Sequence, residues 1–319
     1  MRGRLARFAA VLAAAVLGGA LLAACGGGDN GGNGGQLRVV ATTTQIGALA
    51  REVAGDRAQV VTLLQAGADA HDYEPSPQDS RRLKDAQLVL KNGIGLDDWL
   101  DGLIKNSGTK AKVVVTTEGI TPLEGDDHAH GDGKDDGHDH SHDAGDPHVW
   151  HDPENVKVMV RNIAEALAEA DSANAAEYRA RAEAYAAKLD ETDREIRALL
   201  DPIPAANRKI VTNHESLQYF ARRYDLEVVG AIIPGTAKDA QPSAQDLARL
   251  TDLIRAEGVK AIFAEAEIDP KVAEQLAKDT GVKVVTGLYA DSLGPAGSGA
   301  DTVDGMLLHN ARLIAEALR

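Results

Sequence analysis

From Ala173 to Leu200 the chain contains neither Gly nor Pro and is dense in Ala, Glu, Arg and Leu, among the strongest helix formers. Tyr178, Ala182, Tyr185, Leu189, Ile196 and Leu199 fall near helical spacing. Glu177–Arg181 and Arg179–Glu183 sit four residues apart, where opposite charges support an outer face. Asp201-Pro202-Ile203-Pro204 stops the pattern. A helix of about 27 residues runs about 40 Å at 1.5 Å per residue, long enough to lie along two lobes as a stiff connector. Its apolar stripe is too Ala-rich and too short for a coiled coil.

Everything else is arranged around that helix. Four β-branched runs precede it: Leu37–Ala41, Gln59–Leu64, Gln87–Lys91 and Lys112–Thr116. Four follow: Lys209–Asn213, Glu227–Ile233, Val259–Phe263 and Val282–Thr286. Helix-length segments such as Ser80–Ala86, Ser243–Ala256 and Val303–Leu318 lie among them. Strands spaced this way form right-handed βαβ units. The expected class is α/β, with two lobes, each a four-stranded parallel sheet flanked by helices. Apolar residues make up 44% of the 319 and aromatics 3%, so the cores must be built from Ala, Val, Leu and Ile. That suits parallel strands under Ala-rich helices better than an aromatic-rich sandwich. A net charge of −15 leaves no basic face for nucleic acid.

Residues 1–24 read as a segment outside the fold. Arg2, Arg4 and Arg7 lead into a small-residue apolar run from Phe8, and Leu22-Ala23-Ala24-Cys25 resembles the cleavage site of a bacterial lipoprotein signal peptide. The sole cysteine, Cys25, is then the point of lipid attachment, and the Gly/Asn/Asp-rich stretch to residue 36 a tether. The expected order is 1–24 signal peptide, 25–36 lipidated tether, 37–172 first lobe, 173–202 linking helix and 203–319 second lobe. Within the first lobe, 126–146 carries His128, His130, His138, His140 and His142 among Asp and Gly. That tract cannot pack, should be mobile, and offers weak metal sites.

Other histidines fall at the carboxyl ends of strand runs. His71 follows the second, His148 comes just after the His-rich tract, and His214 ends the fifth; Asp291 follows the eighth. In open α/β sheets ligands bind beyond those ends, and facing lobes would bring the four together. Three imidazoles and a carboxylate make a tetrahedral Zn²⁺ set, although a lone His at a strand end is more often structural. Asp72 and Glu74 flank His71 and could orient its ring as outer carboxylates do, or simply belong to a stiff turn. His151 reads as an extra ligand, an outer partner or a surface residue, and one of the last two is favoured because a closed tetrahedral site has no vacancy. His309 reads as packing or capping, and the pair Glu265 and Glu267 as structural.

The motifs Gly67–Asp79, Asp146-Pro147-His148-Val149-Trp150, His214 with Tyr219-Phe220, Tyr289–Gly294 and Gly305-Met306 with His309-Asn310 are similar to those of TroA-like solute-binding lipoproteins. These serve ABC importers of zinc and manganese. The resemblance runs from about Leu37 to the C-terminus. It implies two α/β lobes joined by one long helix, with His71, His148, His214 and Asp291 as metal ligands in the cleft. His151 departs from it, standing where an apolar residue normally follows the Trp. The resemblance further implies a monomeric, non-enzymatic extracytoplasmic binder. It would be anchored to the membrane through Cys25 and deliver metal to a permease driven by an ATPase subunit.

Manganese-preferring members commonly place Glu where His214 stands, and three nitrogens suit Zn²⁺ better than the harder Mn²⁺, so high-affinity Zn²⁺ binding is expected. The alternatives are a Mn²⁺-preferring binder of the same family, or a surface metal buffer or adhesin. A zinc hydrolase fits poorly, because the fourth position is filled and no His-Glu-x-x-His helix is present. Affinity should fall as histidines protonate below about pH 6.5. Deleting Asp126–Gly145 should leave one tight Zn²⁺ per chain in a chelator titration and remove only weaker sites; loss of the tight ion would refute the four-ligand set.

Overall fold

Val, Ile and Leu build the strands, and capping residues start most of the helices between them. The computed structural model describes residues 36–319 except 72, 125–144, 234–241 and 267. The first half comprises β1 (Leu37–Ala41), α1 (Thr44–Ala54), β2 (Ala58–Thr62), α2 (Pro77–Asp85), β3 (Leu88–Lys91), α3 (Trp99–Ser107) and β4 (Lys112–Val115). Then come α4 (Pro153–Ala170) and the 26-residue α5 (Ala175–Leu200). The second half comprises β5 (Lys209–Thr212), α6 (Gln218–Arg223), β6 (Glu227–Ala231), α7 (Ala244–Glu257), β7 (Ala261–Glu265), α8 (Lys271–Thr280), β8 (Lys283–Leu288) and α9 (Val303–Leu318).

Two four-stranded sheets result, in the orders β2-β1-β3-β4 and β6-β5-β7-β8, with every pair parallel. The same topology thus occurs twice, one lobe on each side of α5, as expected. Within a sheet all carboxyl ends lie at one edge, where loops can gather ligands. The lobes share one core. It runs from Val39, Leu88 and Leu90 through Ile163 on α4 and Tyr178, Leu189 and Ile196 on α5 to Phe263, Met306 and Ile314. A smaller cluster, including Val211, Ile254, Ile262 and Leu276, covers the other face of the second sheet.

Three differences from the sequence reading matter. α4 was not anticipated, although Asp152 caps it by accepting Glu154 N–H and Pro153 occupies its first turn. α5 starts two residues late, because Asp171 Oδ2 accepts from Asn174 Nδ2 (2.6 Å) and Tyr178 OH (2.7 Å) and holds Ser172–Asn174 as a 3₁₀ turn. β7 is shifted towards its C-terminus. Gly258 ends α7 in the left-handed conformation and the buried Val259 N–H bonds back to Ile254 O, so the strand runs on to Glu265.

Local chemistry sets the segments bordering the cleft. A Cβ on Gly47 would meet Thr62 Oγ1 at 2.1 Å, so this glycine lets α1 approach the end of β2. Ser76 and Asp79 form a capping box at α2, with Pro77 in its first turn. Among the described residues no helix is long and apolar enough to cross a membrane. Cys25, the tether as far as residue 35 and all five histidines of the His-rich tract lie outside the described residues.

Candidate metal centre

His71, His148, His214 and Asp291 converge in the cleft. One ligand atom from each lies within 4.8 Å of every other. His71 Nε2 is 3.2 Å from His148 Nε2, and Asp291 is 3.2 Å from His148 Nε2, 3.3 Å from His214 Nε2 and 3.9 Å from His71 Nε2. His148, His214 and Asp291 are buried, whereas the His71 side chain is 12% exposed.

Each residue is held by its own neighbourhood. For His71, Ala70 O accepts from Trp99 Nε1 (3.0 Å), and Tyr73 packs on Trp99 with ring centroids 4.8 Å apart. Asp79 orders the turn that follows: its Oδ2 accepts from Tyr73 OH, Ser76 N and Ser76 Oγ at 2.6–2.9 Å. Glu74 is exposed, and Asp72 lies outside the described residues. For His148, Asp146 Oδ1 lies 2.7 Å from Nδ1 and accepts the His148 backbone N–H at 2.9 Å.

His214 receives the matching treatment from the other lobe. Glu265, at the end of β7, places Oε1 2.7 Å from its Nδ1, and Glu265 N–H bonds Asn213 Oδ1 at 2.7 Å. A carboxylate on Nδ1 fixes the ring and leaves Nε2 facing the centre. Reading Glu265 as merely structural therefore missed its contact. The usable signal was a carboxylate ending a strand adjacent to the strand of a His. Asp146 was quoted only as part of a motif.

Asp291 follows β8 in a loop pinned largely from the first lobe. Ala290 O accepts from Trp150 Nε1 (3.0 Å) and Gln45 Nε2 (3.4 Å), Leu293 N–H bonds Thr44 Oγ1, and Gly67 N–H bonds Ser292 Oγ. Behind it, His309 Nε2 lies 3.0 Å from Gly287 O and Asn310 bonds both polar backbone groups of Tyr289, the packing role expected for His309. His151 is fully buried, not on the surface; among the described residues neither ring nitrogen has a hydrogen-bond partner, and it stands outside the group of four. Its pKa drops to about 3, through burial and then the adjacent His148.

Electrostatics divides the imidazoles. Burial, then the charge of His148, lowers His71 to about 4. Burial also opposes charge on His148 and His214, but carboxylates outweigh it: Asp146 and Asp291 raise His148 to about 9, and Asp291 and Glu265 raise His214 to about 10. Burial would push Asp291 up, yet His214 and His148 hold it well below the usual carboxylate range. The carboxylates thus favour positive charge on the imidazoles they touch.

Residues 39–317 match the family model described as the periplasmic component A of the zinc-uptake complex. The chain belongs to this family. Its members are metal-binding proteins that serve ABC importers and are carriers, not enzymes. The iron-binding protein YfeA of Yersinia pestis is 34% identical over 258 residues, covering 81% of this chain and 78% of that protein. The manganese-binding lipoprotein MntA of Halalkalibacterium halodurans is 31% identical, covering 88% of each. Among solved structures, the periplasmic zinc-binding protein TroA of Treponema pallidum superposes with a TM-score of 0.78 at 28% identity, covering 89% of this chain and 99% of that one. The two-lobed family fold is the one described above.

Replacing Glu265 by Gln should weaken metal affinity by about 10–100-fold while leaving stoichiometry intact, because an orienting partner is lost and no ligand is. A competitive chelator titration reads it; unchanged affinity would show that Glu265 does not orient His214.

Proposed function

We propose that the chain is an extracytoplasmic Zn²⁺ carrier, lipid-anchored at Cys25 after loss of 1–24. It would hold one ion on His71, His148, His214 and Asp291 and hand it, as a monomer, to the permease of an ATP-driven importer. The proposed organisation is a first lobe over 37–172, a linking helix over 173–202 and a second lobe over 203–319. One observation carries this reading: one donor atom from each of the four residues lies within 4.8 Å of every other, and three of the four residues are buried. Three imidazole nitrogens and one oxygen suit borderline Zn²⁺ over Mn²⁺, which favours oxygen.

A second reading, a Mn²⁺ carrier with the same ligands, is favoured by the relative named as a manganese-binding lipoprotein. Metal content of protein purified without added metal, with chelator titrations for both ions, separates the two. Zn²⁺ should bind more tightly; equal or tighter Mn²⁺ would overturn the zinc assignment. His214→Ala should weaken binding beyond the roughly 10–100-fold expected of an orienting partner.

Protonation sharpens the pH dependence. With pKa values near 9 and 10, His148 and His214 both carry protons at neutral pH, while His71, near 4, does not. An incoming ion must displace those protons, so affinity rises with pH through this whole range and not only near pH 6.5. Calorimetry in buffers of differing ionisation enthalpy should find about two protons released per ion at pH 7, falling towards none above about pH 10. Release of no proton at pH 7 would contradict this charge state.

A further inference from the structure

α6 begins four residues after His214 and ends at Arg223, whose side chain is 13% exposed. Its guanidinium reaches three carboxylates on two separate segments. Nε lies 2.7 Å from Asp193 Oδ1 on α5, Nη1 3.1 Å from Asp152 Oδ1, and Nη2 3.2 Å from Glu154 Oε1 in the first turn of α4. Asp152 is the cap of α4 and stands four residues after His148. Tyr224 OH also donates to Asp193 Oδ1 at 2.9 Å, and Arg197 lies 3.2 Å from the other oxygen. On the same side of the cleft, Tyr219 OH donates to Asp146 O at 2.7 Å and accepts Leu123 N–H at 2.9 Å. The stretch from His214 to Arg223 is therefore laced to the stretch from Asp146 to Glu154. Three nitrogens on three carboxylates need the planar fork of Arg; Lys offers one compact charge.

We propose that Arg223 is a positioning residue for ion capture: its fork ties the segment carrying His148 to the segment carrying His214, and so limits how fast a bound divalent ion leaves. Any parting of the lobes on this side must lengthen the contacts to Asp152 and Glu154 together with the His148–His214 separation. Without Arg223, Asp152 and Asp193, which are 22% and 16% exposed, lose the cation between them and the seam is held by less. Arg223 touches none of the four proposed ligands, so its effect falls on release and not on the donor set. The inference rests on the four-ligand reading given under Proposed function.

The test follows chelator-driven dissociation of Zn²⁺, and in parallel Mn²⁺, by stopped flow from the full chain. Arg223→Met should accelerate release on the order of tenfold, since changes at such contacts act mostly on the off-rate, with one ion per chain retained. Arg223→Lys should fall between it and the parent. Asp152→Asn preserves the helix cap but weakens the fork's hold on the first lobe, and it carries the test if Arg223→Met does not fold. Combining Asp152→Asn with Arg223→Met should add little to Arg223→Met alone, because both cut one linkage. A merely structural role would lower the thermal midpoint without changing dissociation, or would give additive effects; either result overturns the proposal. His214→Ala, run alongside, distinguishes the two levels. Loss of the tight ion there with unchanged release in the Arg223 and Asp152 variants rejects the clamp alone, whereas undiminished binding there rejects the four-ligand reading beneath it.

Discussion

Three carboxylates, Asp146, Glu265 and Asp291, meet at one buried place around two fully buried imidazoles. Negative charge so enclosed is costly unless a cation answers it. On the reading proposed above, protons favoured on His148 and His214 by these carboxylates would answer it without cargo, and a divalent ion would answer it with cargo. The capping of α4, the pinning of the 290–293 loop and the pairing of strand ends all hold these groups together. Cargo selection would then start as charge balance and be refined by the count of nitrogen and oxygen donors.

The fold serves this by repetition. Two sheets of the same strand order turn their carboxyl ends to a common cleft, and each lobe contributes a histidine braced by its own carboxylate: His148 by Asp146 and His214 by Glu265. Because one apolar core continues through α4, α5 and α9, wide separation of the lobes would expose buried surface. Small adjustments at the seam remain available, and there the polar contacts of Tyr219 and Arg223 are concentrated.

Much of this was legible in the chain. Strand existence followed from β-branched runs, and the absence of Gly and Pro over 173–200 marked the long helix. Position alone did not decide the ligand candidates, because a lone His at a strand end is more often structural; the flanking motifs shared with TroA-like lipoproteins singled them out, Asp291 most of all. What was hidden depends on contact across the fold. Glu265 looked structural because its partner lies 51 residues away on the neighbouring strand. α4 went unassigned although Asp152-Pro153 announces a helix start, and Arg223 gave no sign of its role because its three partners lie on other segments. His151 was open to three readings, and its burial removes the surface one.

The unequal burial of the four candidate ligands has a kinetic meaning. Among the described residues of the cluster, His148, His214 and Asp291 are sealed and His71 is the partly open member, its side chain 12% exposed. On the four-ligand reading proposed above, exchange with the lobes together would be a substitution in which the imidazole of His71 is the departing or arriving group. The Trp99 bond to Ala70 O and the Asp79-ordered turn fix the backbone on either side of that one partly exposed residue.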